Sequence, residues 1–347
     1  MLTAGNKKAG NWYEKLAAAM KRLAGGIGKG KANGHEQAAM SQILARQSPW
    51  GPMMVVDAHV HFFSHRFFEI LASQKPGLTI DMVREKMVRQ KLDWEFPPTR
   101  PADLANQWVR DLDRHGVHRA ALIASVPADE ASVIAAARTH PDRFLTFAMV
   151  NPRSWNPESL GGIRAACLFP SMHAYSMHDD LVRPVFEWAS QGPRAVFVHC
   201  GVLSVGVRGK LGLPAAFDLR YSNPVDLHDM AMRYPQVPII VPHFGAGYFR
   251  EALMLADLCP NMYLDTSSSN RWMLYQEADL DLRQVFRRAL DVVGPKRLLF
   301  GTDSSFFPRG WHYKIFEDQA TALYELDVSA ADAQGIFGEN LLRILPH

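Results

Sequence analysis

The stretch MMVVDAHVHFF, residues 53–63, begins with a short apolar run and passes into two histidines spaced two residues apart. Seven more short apolar runs follow along the chain, at residues 119–124, 144–150, 163–169, 195–199, 237–243, 262–266 and 297–303. Together with residues 53–57, these runs predict eight strands. Near-continuous apolar strands are what a parallel sheet buried on both faces requires.

Helical patterns separate these runs, at residues 103–115, 128–139, 180–190, 225–234, 248–257 and 281–293. Alternating strands and helices over this length predict an α/β fold of the (β/α)8 class, a TIM barrel, over residues 51–347. A doubly wound open sheet is the alternative. The segments at residues 62–101 and 201–224 are interpreted as long loops, which in a barrel would form the lid and walls of a site.

The first fifty residues differ from the rest in charge. They hold eight Lys and Arg against two Glu, whereas the whole chain has 38 Lys and Arg against 35 Asp and Glu. Apolar residues at helical spacing between residues 11 and 24 predict a short amphipathic helix, and the glycine-rich residues 25–34 predict a linker. Residues 1–50 are therefore interpreted as a basic, helical N-terminal extension: an arm between subunits of a homo-oligomer, or a partly disordered tail. Binding to an anionic membrane surface is the alternative.

Composition excludes several classes of protein. The formal net charge of +3 is too small for a surface that tracks nucleic acid. Three cysteines form an odd and sparse set that suits a reducing compartment. We find neither a run of the roughly 20 apolar residues that a membrane span needs nor a secretory signal. The expectation is a cytoplasmic protein, without a transmembrane segment, that acts on a small molecule.

Five imidazole or carboxylate side chains are predicted to meet at one end of the barrel. His59 and His61 are two residues apart on the first strand, so both imidazoles point the same way. Strands five, six and eight end in His199, His243 and Asp303. The carboxyl ends of parallel barrel strands share one rim. Nitrogen and oxygen donors without a thiolate suit Zn²⁺, Mn²⁺ or Fe²⁺.

Five ordered motifs carry a family resemblance: DAHVH at residues 57–61, VFVHCG at 196–201, IIVPHFGAG at 239–247, LLFGTDSSF at 298–306 and IFGENLLRIL at 336–345. This set resembles the amidohydrolase superfamily, specifically the amidohydrolase-2 branch, which includes lactone hydrolases and metal-dependent aromatic-acid decarboxylases. The resemblance implies that the metal ligands are His59, His61, His199 and Asp303. It also implies that His243 stands beside the metal-bound water or the substrate carbonyl.

The number of metal ions follows from one departure from the superfamily. Members with two metals often bridge them through a modified lysine on strand four, but that strand reads IRAACLFP here and has no lysine. We therefore expect one divalent ion, with Zn²⁺ favoured. Cys167, on that strand, is interpreted as a buried thiol rather than a ligand. Cys200 follows His199 directly and is predicted to point away from the ion.

The residues predict a metal-dependent hydrolase that cleaves a C–O or C–N bond of a lactone, ester or amide. A divalent ion lowers the pKa of its water from 15.7 towards about 7, Asp303 would accept the water's proton, and His243 would polarise the carbonyl. The alternatives are non-oxidative decarboxylation of an aromatic or unsaturated acid and, remotely, a non-catalytic metal-binding scaffold. The Asp57-x-His59-x-His61 opening is similar to that of the lactonase and general hydrolase members of the family, whereas several decarboxylases carry Glu in this strand, and this resemblance favours hydrolysis.

Loop residues are candidates for contact with an anionic or aromatic substrate. The basic and indole candidates are Arg208, Lys210, Arg220, Arg309 and Trp311, and the apolar wall candidates are Phe62, Phe63, Phe306 and Phe307. Residues 265–270, which follow strand seven, are interpreted mainly as a helix cap.

Overall fold

The computed structural model describes residues 45–89, 94–267 and 270–346. The predicted amphipathic helix at residues 11–24 and the linker at 25–34 lie outside these ranges. Among the residues described, no helix has both the length and the continuous apolar character needed to cross a membrane.

Eight parallel strands form one sheet, and their order in the sheet is their order along the chain. A two-stranded hairpin of β1 (Arg46–Ser48) and β2 (Gly51–Met53) precedes them. The eight strands are β3 (Val56–His61), β4 (Arg119–Ala124), β5 (Phe144–Val150), β6 (Ala165–Leu168), β7 (Ala195–Val198), β8 (Ile239–Val241), β9 (Met262–Asp265) and β10 (Leu298–Leu299). The predicted barrel fold is confirmed.

The barrel closes where β3 meets the chain that follows β10. The Ala58 amide donates to the Phe300 carbonyl at 2.8 Å, and the Asp303 amide donates to the His59 carbonyl at 2.9 Å. The His61 amide donates to the Ser304 carbonyl at 2.7 Å. This closure brings the first predicted ligand pair and the last predicted ligand onto adjacent chain segments.

Helices cover the outside of the barrel and the carboxyl ends of its strands. They are α1 (His65–Ser73), α2 (Ile80–Arg89), α3 (Pro101–Arg114), α4 (Glu130–Thr139), α5 (Pro170–His173), α6 (Arg183–Ser190), α7 (Gly206–Leu211), α8 (His228–Arg233), α9 (Phe249–Leu258), α10 (Leu282–Val292), α11 (Tyr313–Glu325), α12 (Ala330–Gln334) and α13 (Asn340–Ile344). The six predicted helices correspond to α3, α4, α6, α8, α9 and α10.

Two sequence predictions about the chain path were wrong. The first strand was placed at residues 53–57, but Met53 pairs with Arg46 in the hairpin, and the barrel strand begins at Val56. The segments at residues 62–101 and 201–224 are not plain loops, because the first contains α1 and α2 and the second contains α7. Apolar side chains of these three helices, including Phe67, Met87 and Leu211, form a separate small core that we call the cap.

A bulge in β3 decides which side chains enter the barrel. Asp57 pairs with Ala120 and Val60 pairs with Leu122, so three steps along β3 match two steps along β4. An extra residue of this kind breaks the alternation of the strand, so side chains before and after it point in different directions from those of a regular strand. Asp57 consequently faces the outer layer, although it is two residues before His59 and four before His61.

Asp57 is anchored between the barrel wall and the outer helices. Its carboxylate accepts hydrogen bonds from the Thr302 amide at 3.1 Å, the Thr302 hydroxyl at 2.5 Å and the Trp311 indole N–H at 2.8 Å. Burial raises the pKa of Asp57 to about 6, and these donors oppose that shift. Asp57 therefore serves as a wall residue that ties β3 to the segment after β10.

Replacement of Trp311 with Phe will test this anchor. The variant leaves the buried Asp57 carboxylate with one donor fewer, which should lower the free energy of unfolding by about 1–3 kcal/mol. Trp272→Phe is the matched control, because Trp272 is also buried and its indole nitrogen has no hydrogen-bond partner among the described residues. Denaturant unfolding of both variants measures the difference, and equal losses would contradict the anchor role.

Candidate metal centre

Three of the predicted ligands converge at the carboxyl end of the barrel. The Nε2 atoms of His59 and His61 lie 3.3 Å apart. The Asp303 Oδ1 atom lies 3.1 Å from the His61 Nε2 and 3.7 Å from the His59 Nε2. These three residues form a group whose donor atoms all lie within 4.8 Å of one another, so they could hold a metal ion.

Neighbouring groups determine which nitrogen of each histidine carries the proton. The His59 Nδ1 lies 2.7 Å from the Asp265 carboxylate, which only accepts hydrogen bonds, so Nδ1 is protonated. The His61 Nδ1 lies 2.7 Å from the Ser125 hydroxyl. That hydroxyl donates its own proton to the Ile123 carbonyl at 3.0 Å, so it accepts from His61. Both histidines therefore present an unprotonated Nε2.

This arrangement fits a cation. Two imidazole lone pairs and one carboxylate oxygen meet with no hydrogen between them in this tautomeric state, and such groups repel one another unless a positive charge lies among them. A histidine whose other ring nitrogen donates to a carboxylate or hydroxyl is the usual form of a metal ligand. The donor set of nitrogen and oxygen suits zinc and other first-row divalent ions.

The same groups keep Asp303 ionised. Burial alone would raise its pKa. When no cation is bound, the imidazoles can take up a proton, and then the hydrogen bond from His61 and the charges on His59, His61 and His243 outweigh burial. The pKa of Asp303 is therefore held well below its usual range. Burial is also the largest cause of the lowered pKa of His61, which favours its neutral, ligating form.

His243 and His199 lie beside this group. The His243 ring centroid is 5.0 Å from that of His59, and the His199 ring is 5.4 Å from that of His243. Both side chains are buried and line the same cavity as His61 and Asp303. His199 stacks on Phe169 and does not join the group of three, and its Nδ1 is buried without a hydrogen-bond partner among the described residues.

Backbone strain is concentrated at this site. His243 and Asp303 have φ angles of 55° and 58°, in the left-handed region that non-glycine residues seldom adopt. Strain of this kind costs about 1–3 kcal/mol per residue and persists where the surroundings impose it. The turn after β8 is packed closely as well, because a Cβ on Gly201 would lie 2.2 Å from the Gly245 carbonyl oxygen.

Three supporting residues were missed at the sequence level. Asp265 and Ser125 contact the Nδ1 atoms of His59 and His61, and the Ser267 hydroxyl lies 3.0 Å from the Nδ1 atoms of both His59 and His243. Residues 265–270 had been interpreted mainly as a helix cap. The position of Asp265 and Ser125 at the ends of β9 and β4 was the available signal, since strand ends at one rim meet.

Two cysteines, one tryptophan and one arginine considered in the sequence do not line the cavity. Cys167 packs inside the barrel and Cys200 in the outer layer, and burial raises the pKa of both thiols. Trp311 is fully buried against Asp57, so its suggested contact with substrate is wrong. Arg220 is exposed and paired with Asp218, away from the cavity.

The cavity that His61 and Asp303 line has a volume of about 870 Å³. Its lining includes Phe63 from the aromatic candidates and Arg208 and Lys210 from the basic ones. Phe62 is buried in the outer core, Phe306 packs on Trp94, and Phe307 packs on Trp108. Arg309 donates to the Asp303 carbonyl at 3.2 Å and covers the Phe306 ring.

Known proteins resemble this chain in sequence and in fold. A family model described as "Amidohydrolase" matches residues 56–346. Protein fluG of Emericella nidulans is 35% identical over 92 residues, which are 26% of this chain and 10% of that protein, so the match spans a tenth of that relative's length.

Two solved structures are similar in fold. A probable 2-pyrone-4,6-dicarboxylic acid hydrolase from Acinetobacter baumannii has 14% identity and a TM-score of 0.55, over 85% of this chain and 100% of that one. An amidohydrolase from Burkholderia multivorans with bound zinc has 15% identity and a TM-score of 0.54, over 84% of this chain and 99% of that one.

Replacement of Asp265 with Asn will test the proton assignment at His59. An amide nitrogen facing Nδ1 would favour the tautomer that protonates Nε2, and the lone pair for a cation would be lost. Affinity for Zn²⁺ should fall about 10–100-fold, as is usual for such supporting residues. Competition with a chelator measures the affinity, with the exposed Asp257→Asn as control. Unchanged affinity in Asp265→Asn would overturn the assignment.

Proposed function

Because the chain belongs to the amidohydrolase family, we propose that it is a metal-dependent hydrolase that cleaves a C–O or C–N bond of a lactone, ester or amide. The observation that carries the proposal is the convergence of the His59 and His61 lone pairs with the Asp303 carboxylate at the end of an open cavity. This arrangement combines a cation site with an ionised base at the place where a substrate can enter.

We assign the metal to His59, His61, His199 and Asp303, and expect a single Zn²⁺. The unpartnered Nδ1 of His199 supports its inclusion, because a buried polar atom usually has a partner. A bound divalent cation supplies Lewis acidity: it polarises a carbonyl oxygen and lowers the pKa of a coordinated water. The side chains around the site would carry the proton and act on the reacting carbonyl.

Asp303 is proposed as the proton carrier. It is an ionised carboxylate whose side chain is 31% exposed, so it can reach a water and a substrate in the cavity. It would accept the proton of the attacking water and return it to the leaving group as the bond breaks. General acid–base catalysis of this kind contributes about 10²–10⁴-fold to the rate.

His243 is proposed to act on the reacting carbonyl in the form in which its own Nε2 has taken up a proton from the solvent. Its Nδ1 lies 3.1 Å from the Ser267 carbonyl oxygen, which only accepts, so Nδ1 carries the proton and Nε2 has a free lone pair. Burial, followed by the neighbouring His59, lowers the pKa of His243 and favours this neutral form. Nε2 can orient a water by accepting its hydrogen, and once protonated it can stabilise an oxyanion.

His199→Ala will test the fourth ligand. If His199 binds the ion, affinity for Zn²⁺ should fall at least ten-fold, because supporting residues alone are worth about 10–100-fold. His178→Ala is the control, because the side chain of His178 is 60% exposed and pairs with Asp226 outside the cavity. Elemental analysis and chelator competition give the measurement. Affinity equal to that of the His178 variant would remove His199 from the ligand set.

The reaction itself is tested by its product. Purified protein is assayed on lactones, esters, amides and aromatic carboxylates, with separate detection of a newly formed acid and of released CO2. We expect acid without CO2, and Asp303→Asn should lower kcat about 10²–10⁴-fold. Because Asp303 is also a proposed ligand, the metal content of the variant is measured, and the comparison is made at saturating Zn²⁺. Release of CO2 instead of acid would replace the hydrolase with a decarboxylase.

A further inference from the structure

Asp303 has a backbone conformation that few residues with a side chain adopt. Its φ angle of 58° lies in the left-handed region, and a residue keeps that conformation only where its surroundings impose it. On one side, the Asp303 amide donates to the His59 carbonyl at 2.9 Å in the barrel wall. On the other side, the Asp303 carbonyl accepts from the Arg309 Nη2 at 3.2 Å. Arg309 therefore provides the second of two restraints on the backbone that carries the Asp303 carboxylate.

Arg309 closes the segment after β10 onto itself. Its Nη2 also donates to the Ser305 hydroxyl at 3.0 Å, so one nitrogen joins two residues of this segment. The guanidinium carbon lies 4.6 Å from the Phe306 ring centroid, which is within the range of a cation–π contact. All three contacts fall within residues 303–309. The position of the guanidinium and that of Asp303 are therefore linked within one short segment.

The Phe306 ring is the end of a row of four aromatic rings. Phe306 stacks on Trp94, with ring centroids 4.0 Å apart and an interplanar angle of 15°. Trp94 faces Phe63 at 6.2 Å and 25°, and Phe63 stacks on Phe67 of α1 at 4.4 Å and 7°. We call Phe67, Phe63, Trp94 and Phe306 the aromatic column.

The aromatic column joins the chain segments that follow two of the proposed ligands. Phe63 comes two residues after His61, and Phe306 comes three residues after Asp303. Trp94 lies between these two rings and belongs to neither segment. A displacement of Trp94 would therefore change the packing of both segments.

Backbone contacts fix Trp94 to the segment after β10. The Glu95 amide donates to the Phe307 carbonyl at 2.8 Å, one residue along from the stack of Trp94 on Phe306. The Glu95 carboxylate accepts from the Gln107 side-chain amide of α3 at 2.8 Å. Trp94 and Phe306 are consequently neighbours through the backbone as well as through their rings.

The cap contacts the aromatic column from two helices. α1 provides one of its rings, and α7 places the Lys210 Nζ 5.4 Å from the Trp94 ring centroid. Arg208 of α7 joins these helices: its Nε donates to the Pro214 carbonyl at 2.7 Å, and its Nη1 donates to the Gln74 side-chain carbonyl at 2.8 Å. Gln74 directly follows α1. The two helices therefore contact the aromatic column as one unit.

We propose that Arg309 is a positioning residue for Asp303, and that the aromatic column makes the position of Asp303 depend on the packing of the cap. The proposal rests on the proposed function, because Asp303 is taken to bind the ion and to carry the proton. Arg309 holds the Asp303 carbonyl, and the column supports the guanidinium. Removal of a supporting side chain leaves every ligand atom in the protein but loosens the backbone that orients one of them.

Zn²⁺ binding to the full chain tests the role of Arg309, with Zn²⁺ alone as the probe. Arg309→Gln should lower the affinity about 10–100-fold, as is usual for a residue that supports a ligand. Arg250→Gln loses the same charge and is the matched control, because Arg250 is exposed and pairs with Glu251 away from the cavity. Chelator competition measures both variants. Equal affinity of the two variants would refute the positioning role.

The absorption spectrum of bound Co²⁺ distinguishes positioning from a general loss of stability. The visible bands of this ion depend on the number and geometry of its ligands. We expect the bands of Arg309→Gln to shift relative to the unmodified protein, and those of Arg250→Gln to stay in place. A weaker affinity with an unchanged spectrum would show that Asp303 keeps its position without Arg309, and would overturn the proposal.

A double-mutant cycle tests the aromatic column. If Trp94 acts through Arg309, Trp94→Leu and Arg309→Gln remove parts of the same support. Their combined loss of Zn²⁺ affinity should then fall short of the product of the single losses by about 2–10-fold. Trp155→Leu is the control partner, because Trp155 packs against the outer core and does not line the cavity, and its loss should multiply with that of Arg309→Gln. Losses that multiply for Trp94 as well would contradict the coupling to the cap.

Failure of this inference and failure of the proposed function give different results, because the Zn²⁺ and Co²⁺ measurements need no turnover. If an ester, lactone or amide is hydrolysed, Arg309→Gln at saturating Zn²⁺ should lower kcat about 10–100-fold and change KM little, since it acts through the proton carrier. Hydrolysis with unaltered metal binding and kcat in this variant would refute the inference and retain the function. Altered metal binding in a protein that hydrolyses none of these substrates would contradict the function and leave the positioning of Asp303 standing.

Discussion

The bulge in β3 is the constraint on which the candidate site depends. Without the extra residue between Asp57 and Val60, the alternation of a strand would send Asp57, His59 and His61 to one face. The bulge instead places Asp57 in the outer layer, where Thr302 and Trp311 hold its carboxylate, and directs both histidines to the cavity side. One irregular residue therefore links barrel closure to ligand orientation.

Bringing the donor atoms of His59, His61 and Asp303 together costs free energy, which the stability of the rest of the fold offsets. Two imidazole lone pairs and a carboxylate are brought within hydrogen-bonding distance, and His243 and Asp303 adopt left-handed backbone angles. Around them the packing is too close to relax: a Cβ on Gly301 would lie 2.6 Å from the Asp265 carboxylate and 2.9 Å from the His59 Cβ. Close packing of this kind keeps the donor atoms of His59, His61 and Asp303 within reach of one cation. The same packing therefore imposes both the backbone strain and the arrangement of the candidate ligands.

The sequence predicts the barrel well because its signal is local. Strands such as β5 are continuous apolar runs, and the helices between them are long enough to show their period. The predicted start of β3 was wrong because residues 53–55 are as apolar as the strand itself, and only the pairing of residues 51–53 with residues 46–48 separates the hairpin from the barrel strand. Asp265 and Ser125 were missed although they lie at strand ends, because the same residue types at a strand end also cap helices. Only the packing between strands shows that they contact His59 and His61.

The division between barrel and cap explains why the candidate metal ligands were easier to predict than the residues that line the rest of the cavity. The donor atoms come from strand ends, whose positions the barrel fixes, whereas Arg208 and Trp94 lie on inserted segments whose geometry depends on packing between distant parts of the chain. Arg208 itself joins these segments, since one of its acceptors follows α1 and the other follows α7. The cation that faces the cavity therefore also holds the two insertions together.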